Sequence, residues 1–141
     1  MERRFVNTSF FYMILAMISG VFFREFTKYN NFNGVTSLGK LHVHLFVLGM
    51  IFFLIVTILE KEFRISKDSR INNFYILYNV GIVMTVIMLL VRGIVEVKQV
   101  VVTSVINASI AGFSGIAHII IFISMITFFM ILKKAVNSDI N

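Results

Sequence analysis

An all-α, integral membrane four-helix bundle is the fold class this sequence predicts, and three observations carry the prediction. Hydrophobic residues make up 58% of the 141, with a mean hydropathy of +0.91. Charged residues are only 14%, where soluble domains carry about a quarter. The apolar residues gather into four runs, each near the roughly 20 residues that cross about 30 Å of hydrocarbon at 1.5 Å per residue. No linker, repeat or low-complexity tract divides the chain, so residues 1–141 read as a single domain.

The first run spans about residues 5–23, behind Met1-Glu2-Arg3-Arg4. Basic residues before an apolar run also open secretory signal peptides, but this run is longer than a signal core and no small-x-small cleavage site follows it. The second run covers about 41–59 and the third about 74–91. The fourth covers about 112–132, behind an uncharged lead-in, Val100 to Ala111, that either extends the helix or forms a surface or re-entrant piece. There is no proline, so the spanning helices are expected to be continuous. "KEFRISKDSR", residues 61–70, reads as a solvated loop.

Charge sets the orientation, because cytoplasmic loops hold the excess of Lys and Arg. With the N-terminus inside, the inner side carries Arg3, Arg4, Lys61, Arg64, Lys67, Arg70, Lys133 and Lys134, which is eight, and the outer side carries five. Both termini are therefore expected to be cytoplasmic, in a multi-pass protein of the cell membrane. The net charge of +6 sits between apolar runs, where it anchors helix ends, so nucleic acid is not an expected partner. Without cysteine, disulfides, thiolate metal sites and thioether-linked haem are excluded.

The three histidines are the most informative residues. On this topology His42 and His44 open the second span at its outer end, and His118 sits about six residues, roughly 9 Å, below the outer start of the fourth. Ionisable groups at membrane depth usually face a bundle interior and mark function. Arg24 and Arg92 close the first and third spans at the same end. Gly112, Ser114, Gly115 and Ala117 precede His118, small residues that admit a close neighbour or a flat ligand. Helical residues two apart diverge by about 200°, so His42 and His44 serve different neighbours. That disfavours one tight three-histidine metal site. It suits a planar cofactor between helices: haem b, with His44 and His118 as favoured axial ligands and propionates toward Arg92 or Arg24. His42 remains for a further ligand, a propionate, a second haem, a copper ion or a neighbouring subunit. Tyr78, Asn79 and Thr85 read as hydrogen-bonders between helices.

"HVHLFVLG", residues 42–49, resembles the His-x-His helix of the haem-copper oxidase catalytic subunit, where the two histidines ligate different haems on opposite helix faces. Across the whole chain, "KLHVHLFVLGM", "FYILYNVGIVMT", "VRGI" and "SGIAHI" are similar to a family of small four-span bacterial membrane proteins of uncharacterised function. The oxidase subunit is built of three four-helix arcs with this motif on the second helix of the last. The resemblance therefore implies a homo-oligomer, a trimer by analogy with a dimer as the alternative. The chain lacks an adjacent histidine pair for the oxidase copper and has no acidic residue inside its spans. Oxygen reduction with proton pumping is not supported. The expected work is electron transfer, or binding or reduction of oxygen or nitric oxide. The alternatives are a copper or zinc binding or transport module, and a non-catalytic membrane scaffold whose histidines pin helices together.

Overall fold

The computed structural model describes residues 1–139. Four long helices follow one another: α1, Glu2–Tyr29; α2, Leu38–Phe63; α3, Ile71–Val97; and α4, Ser104–Asp139. All four are long and apolar enough to cross a membrane. The start of α1 and the end of α4 lie at one end of the bundle, here the terminal side; the opposite end is the far side. Each helix outruns its apolar core at both ends. The lead-in is resolved into a short connection, residues 100–103, and the first two turns of α4.

α1 packs along the length of α2, and α3 along α4. Among the described residues α2 meets α4 chiefly through Phe52–Phe63, the half nearest the termini. That half is filled by rings. Phe52 packs on Tyr78 with centroids 4.4 Å apart and on Phe128 at 5.5 Å, and Phe53 lies on Tyr12 at 6.0 Å. Toward the far side α2 and α4 separate, and α3 bridges them.

The spans are continuous, as expected without proline, but one of them changes form. α2 widens into a π-helix over Leu45–Ile51, a form that commonly marks a functional or packing constraint. Two side-chain hydrogen bonds from neighbouring helices to the backbone of α2 land in this segment. Ser9 Oγ donates to the Met50 carbonyl at 2.8 Å, and Tyr78 OH donates to the Leu48 carbonyl at 3.1 Å. Gly49 admits the Tyr12 ring, whose hydroxyl donates to Asn79 Oδ1 at 2.7 Å. Tyr78 and Asn79 thus link helices as expected. Thr85 instead donates to Gly81 O within α3.

The two ends are closed by carboxylates. On the far side Glu96 accepts from Ser37 N–H at 2.5 Å and Ser37 Oγ at 3.0 Å. On the terminal side buried Glu60 accepts from Ser66 N–H at 2.8 Å and Ser66 Oγ at 2.5 Å. The segment read as a solvated loop is therefore built. Asp68 accepts from Arg70 Nε and Nη2, both at 2.9 Å, and from Lys134 Nζ of α4 at 3.3 Å. The Arg70 side chain, then its backbone N–H, hold the Asp68 carboxyl well below the usual carboxylate range.

A methyl group at Gly49 would meet Tyr12 Cγ at 2.5 Å, whereas nothing lies within 4 Å of one at Gly115. Gly49→Ala is expected to cost about 1–3 kcal/mol through overpacking, and Gly115→Ala to leave stability within about 0.5 kcal/mol, both read by unfolding in mixed micelles. Because the folded carboxyl of Asp68 is depressed, its stabilisation is complete above the unfolded range and is lost as pH falls through the folded value. The stability difference between wild type and Asp68→Asn should stay constant from pH 7 to 5 and shrink only below about pH 4.

Candidate functional site

The helix contacts fix the depth of each candidate residue. Leu38 lies against Gly93, so His44, six residues along α2, stands level with Ile87, six residues back along α3. Gly81 faces Ala117 and Ile121, and Phe74 meets Phe128, which places His118 level with Val83. The two imidazoles therefore differ in depth by about 6 Å. His118 is deeper than its place in the apolar run implied. α4 begins at Ser104 rather than near residue 112, so about 21 Å of helix lies beyond His118 toward the far side.

Helical spacing assigns the faces. His44, Leu48 and Phe52 follow one another by four residues, and Leu48 and Phe52 both meet Tyr78 of α3. His118 heads a line through Ile121, Met125 and Phe128, all packed against the core. His44 is half-buried and His118 is exposed, next to buried Ala117, on the stretches of α2 and α4 that have parted. Arg92 continues the line of Thr85 and Leu89 on α3, about 8 Å beyond His44 toward the far side. Among the described residues it makes no ion pair.

His42 and Arg24 belong elsewhere. With Ala16, Met17, Gly20 and Phe46 they line a shallow groove between α1 and α2. Arg24 pairs with Glu25 at 3.4 Å. Of the five candidate residues, His42 and Arg24 line one groove on the α1 side, while His44, His118 and Arg92 stand on the far-side halves of α2, α4 and α3 without contact among them. Among the described residues no three His, Cys, Asp or Glu side chains gather as a metal site.

The hydrogen bonds of the imidazoles separate them again. His44 Nδ1 lies 2.8 Å from the Lys40 carbonyl, and His118 Nδ1 lies 2.7 Å from the Ser114 carbonyl. A carbonyl only accepts, so Nδ1 carries the proton in both neutral rings and the Nε2 lone pair is left outward. Histidines that ligate metals are held this way, the backbone acceptor fixing the tautomer and making the free nitrogen more basic. Ring nitrogens prepared for an axial bond fit haem iron on chemical grounds. His42 Nδ1, by contrast, is buried without a hydrogen-bond partner.

Comparison with known proteins bears on this site through the whole chain. A family model described as "Protein of unknown function (DUF2871)" matches residues 1–135. The chain belongs to that family. No curated protein and no solved structure matches it significantly.

Sequence reasoning missed the carboxylate closures at Glu60, Asp68 and Glu96 and the π-helical turn. Two of the closures had a local signal: Glu60 and Ser66, and Asp68 and Arg70, are close enough in sequence for a carboxylate to cap its own loop. ¹⁵N NMR of the histidine-labelled protein above neutral pH should find His44 and His118 as Nδ1–H tautomers and His42 as the Nε2–H tautomer. Nε2–H signals at His44 and His118 would remove the case for their readiness to ligate.

Proposed function

We propose that the protein binds haem b between the far-side halves of α2 and α4, with His44 and His118 as axial ligands through Nε2. The observation that carries this reading is the matched pair of imidazoles on two helices, each with Nδ1 committed to the carbonyl four residues earlier. Lys40 O and Ser114 O orient the rings and increase their electron donation. Arg92, unpaired and nearer the far side, suits a propionate carboxylate. Gly115, three residues before His118, leaves the α4 surface beside it without a side chain, so a flat macrocycle can approach the helix backbone there. On this reading the packed rings of Phe52, Tyr78, Phe74 and Phe128 would floor the haem site.

When bound, haem would supply a reversible one-electron couple, and a diatomic gas would bind only if it displaced one of the two imidazoles. On this reading the protein works in electron transfer, or in binding or reduction of oxygen or nitric oxide. It is a multi-pass protein of the cell membrane with cytoplasmic termini, resembling one four-helix arc of the haem-copper oxidase core. A homo-oligomer follows from that likeness, as a trimer before a dimer. Arg24 and His42 stand apart from the axial pair and are left to a second haem or a copper ion.

The test is an absorption spectrum of the full chain purified in mild detergent from haem-replete cells. A Soret band at about one haem per chain is expected. His44→Ala and His118→Ala should each lower haem retention at least tenfold, in keeping with the loss of affinity that metal-site disruption brings, while His42→Ala keeps the axial pair. Colourless protein carrying stoichiometric copper or zinc, or no metal, overturns the reading.

A further inference from the structure

The terminal-side loop holds a second candidate site, unrelated to the histidines. Where α2 ends, the chain turns through a short 3₁₀ helix, Ile65–Lys67, into α3. Arg64, Lys67, Asp68 and Lys134 surround a recess of ≈ 180 Å³ whose apolar walls are Phe63 and Ile131. The recess sits at the membrane-boundary level, since Phe63 ends a spanning helix and Ile131 lies within the last one.

Its charges are unequal. Asp68 is the one carboxylate of the recess, and its side chain, 8% exposed, is already occupied by Arg70 and Lys134. Among the described residues Arg64 and Lys67 have no carboxylate partner, and both are exposed. The loop that presents them is held from both sides. Buried Glu60 fixes Ser66 through its backbone and its hydroxyl, and Asp68 ties the loop to α4. Arg64 itself is held in a left-handed conformation, φ 50° and ψ 47°, where α2 stops. The cations are therefore presented by a built frame rather than by a free surface chain.

We infer that this recess binds the headgroup of an anionic phospholipid from the terminal-side leaflet. Basic recesses between spanning helices suit such headgroups. The phosphodiester would take Arg64, which can donate two parallel N–H bonds to it, with Lys67 and Lys134 nearby. The first carbons of an acyl chain would lie on Phe63 and Ala135, the partly exposed apolar residues of the lining. A phosphate lies just outside the hydrocarbon with its chains beneath it, which matches cations at the loop and apolar walls at the helix ends. A free soluble anion would leave those walls unused.

The test is native mass spectrometry of the full chain in detergent, titrated separately with phosphatidylglycerol, phosphatidylcholine and inorganic phosphate. One saturable phosphatidylglycerol is expected per chain, held at least tenfold more tightly than phosphatidylcholine, with no phosphate adduct. The Arg64→Gln, Lys67→Gln double variant changes only exposed side chains and should lose at least tenfold in phosphatidylglycerol affinity. Lys133→Gln, a neighbouring cation outside the recess, should lose less than twofold. Equal retention of the two lipids, an equal loss in Lys133→Gln, or competitive binding of inorganic phosphate would each overturn the inference.

Discussion

A polar group inside hydrocarbon has no water to turn to, and the bundle is organised by where those groups find partners. In α2 this constraint concentrates at the π-helical turn, Leu45–Ile51. The carbonyls of Leu48 and Met50 lie within it, and α3 and α1 reach them with Tyr78 and Ser9. Each bond is worth only about 0.6–2 kcal/mol in a membrane. Their placement matters more than their sum, because they fix α2 against two helices at one depth. Gly49 completes the joint by letting Tyr12 and its hydrogen bond to Asn79 close over it.

From that joint toward the termini the interior is a column of stacked and tilted rings that includes α4 through Phe128. Toward the far side the rings stop, α4 stays with α3, and α2 stays with α1. The separation leaves His44 and His118 on surfaces whose lower continuations are core. An imidazole at such depth is costly to keep, and the proposed haem would give that cost a reason.

Much of this was legible in the sequence, and the reasons for the rest are physical. The four spans follow from apolar length alone, and the opposed directions of His42 and His44 follow from two residues at 100° each. The depth of His118 did not follow, because Ser104–Ala111 carry no charge and little hydropathy contrast to mark where α4 begins. The π-helical turn was hidden because "LFVLGMI" is equally apolar in either helical form; its cause lies in Ser9, Tyr12 and Tyr78, far away in the chain. The segment 61–70 reads as solvated because charged residues usually are, and half of its residues are exposed. What its sequence hides is that Asp68, with Glu60 before it, is engaged by backbone N–H groups and by Arg70 and Lys134.

The central claim is that one haem iron lies between imidazoles from α2 and α4. Electron paramagnetic resonance of the ferric full chain tests it most directly, because the spin state reports how many strong axial nitrogens the iron has. The account predicts a low-spin signal of bis-imidazole type that turns high-spin when either His44 or His118 is replaced and persists when His42 is replaced. A low-spin signal that survives loss of His118, or that depends on His42, would contradict it.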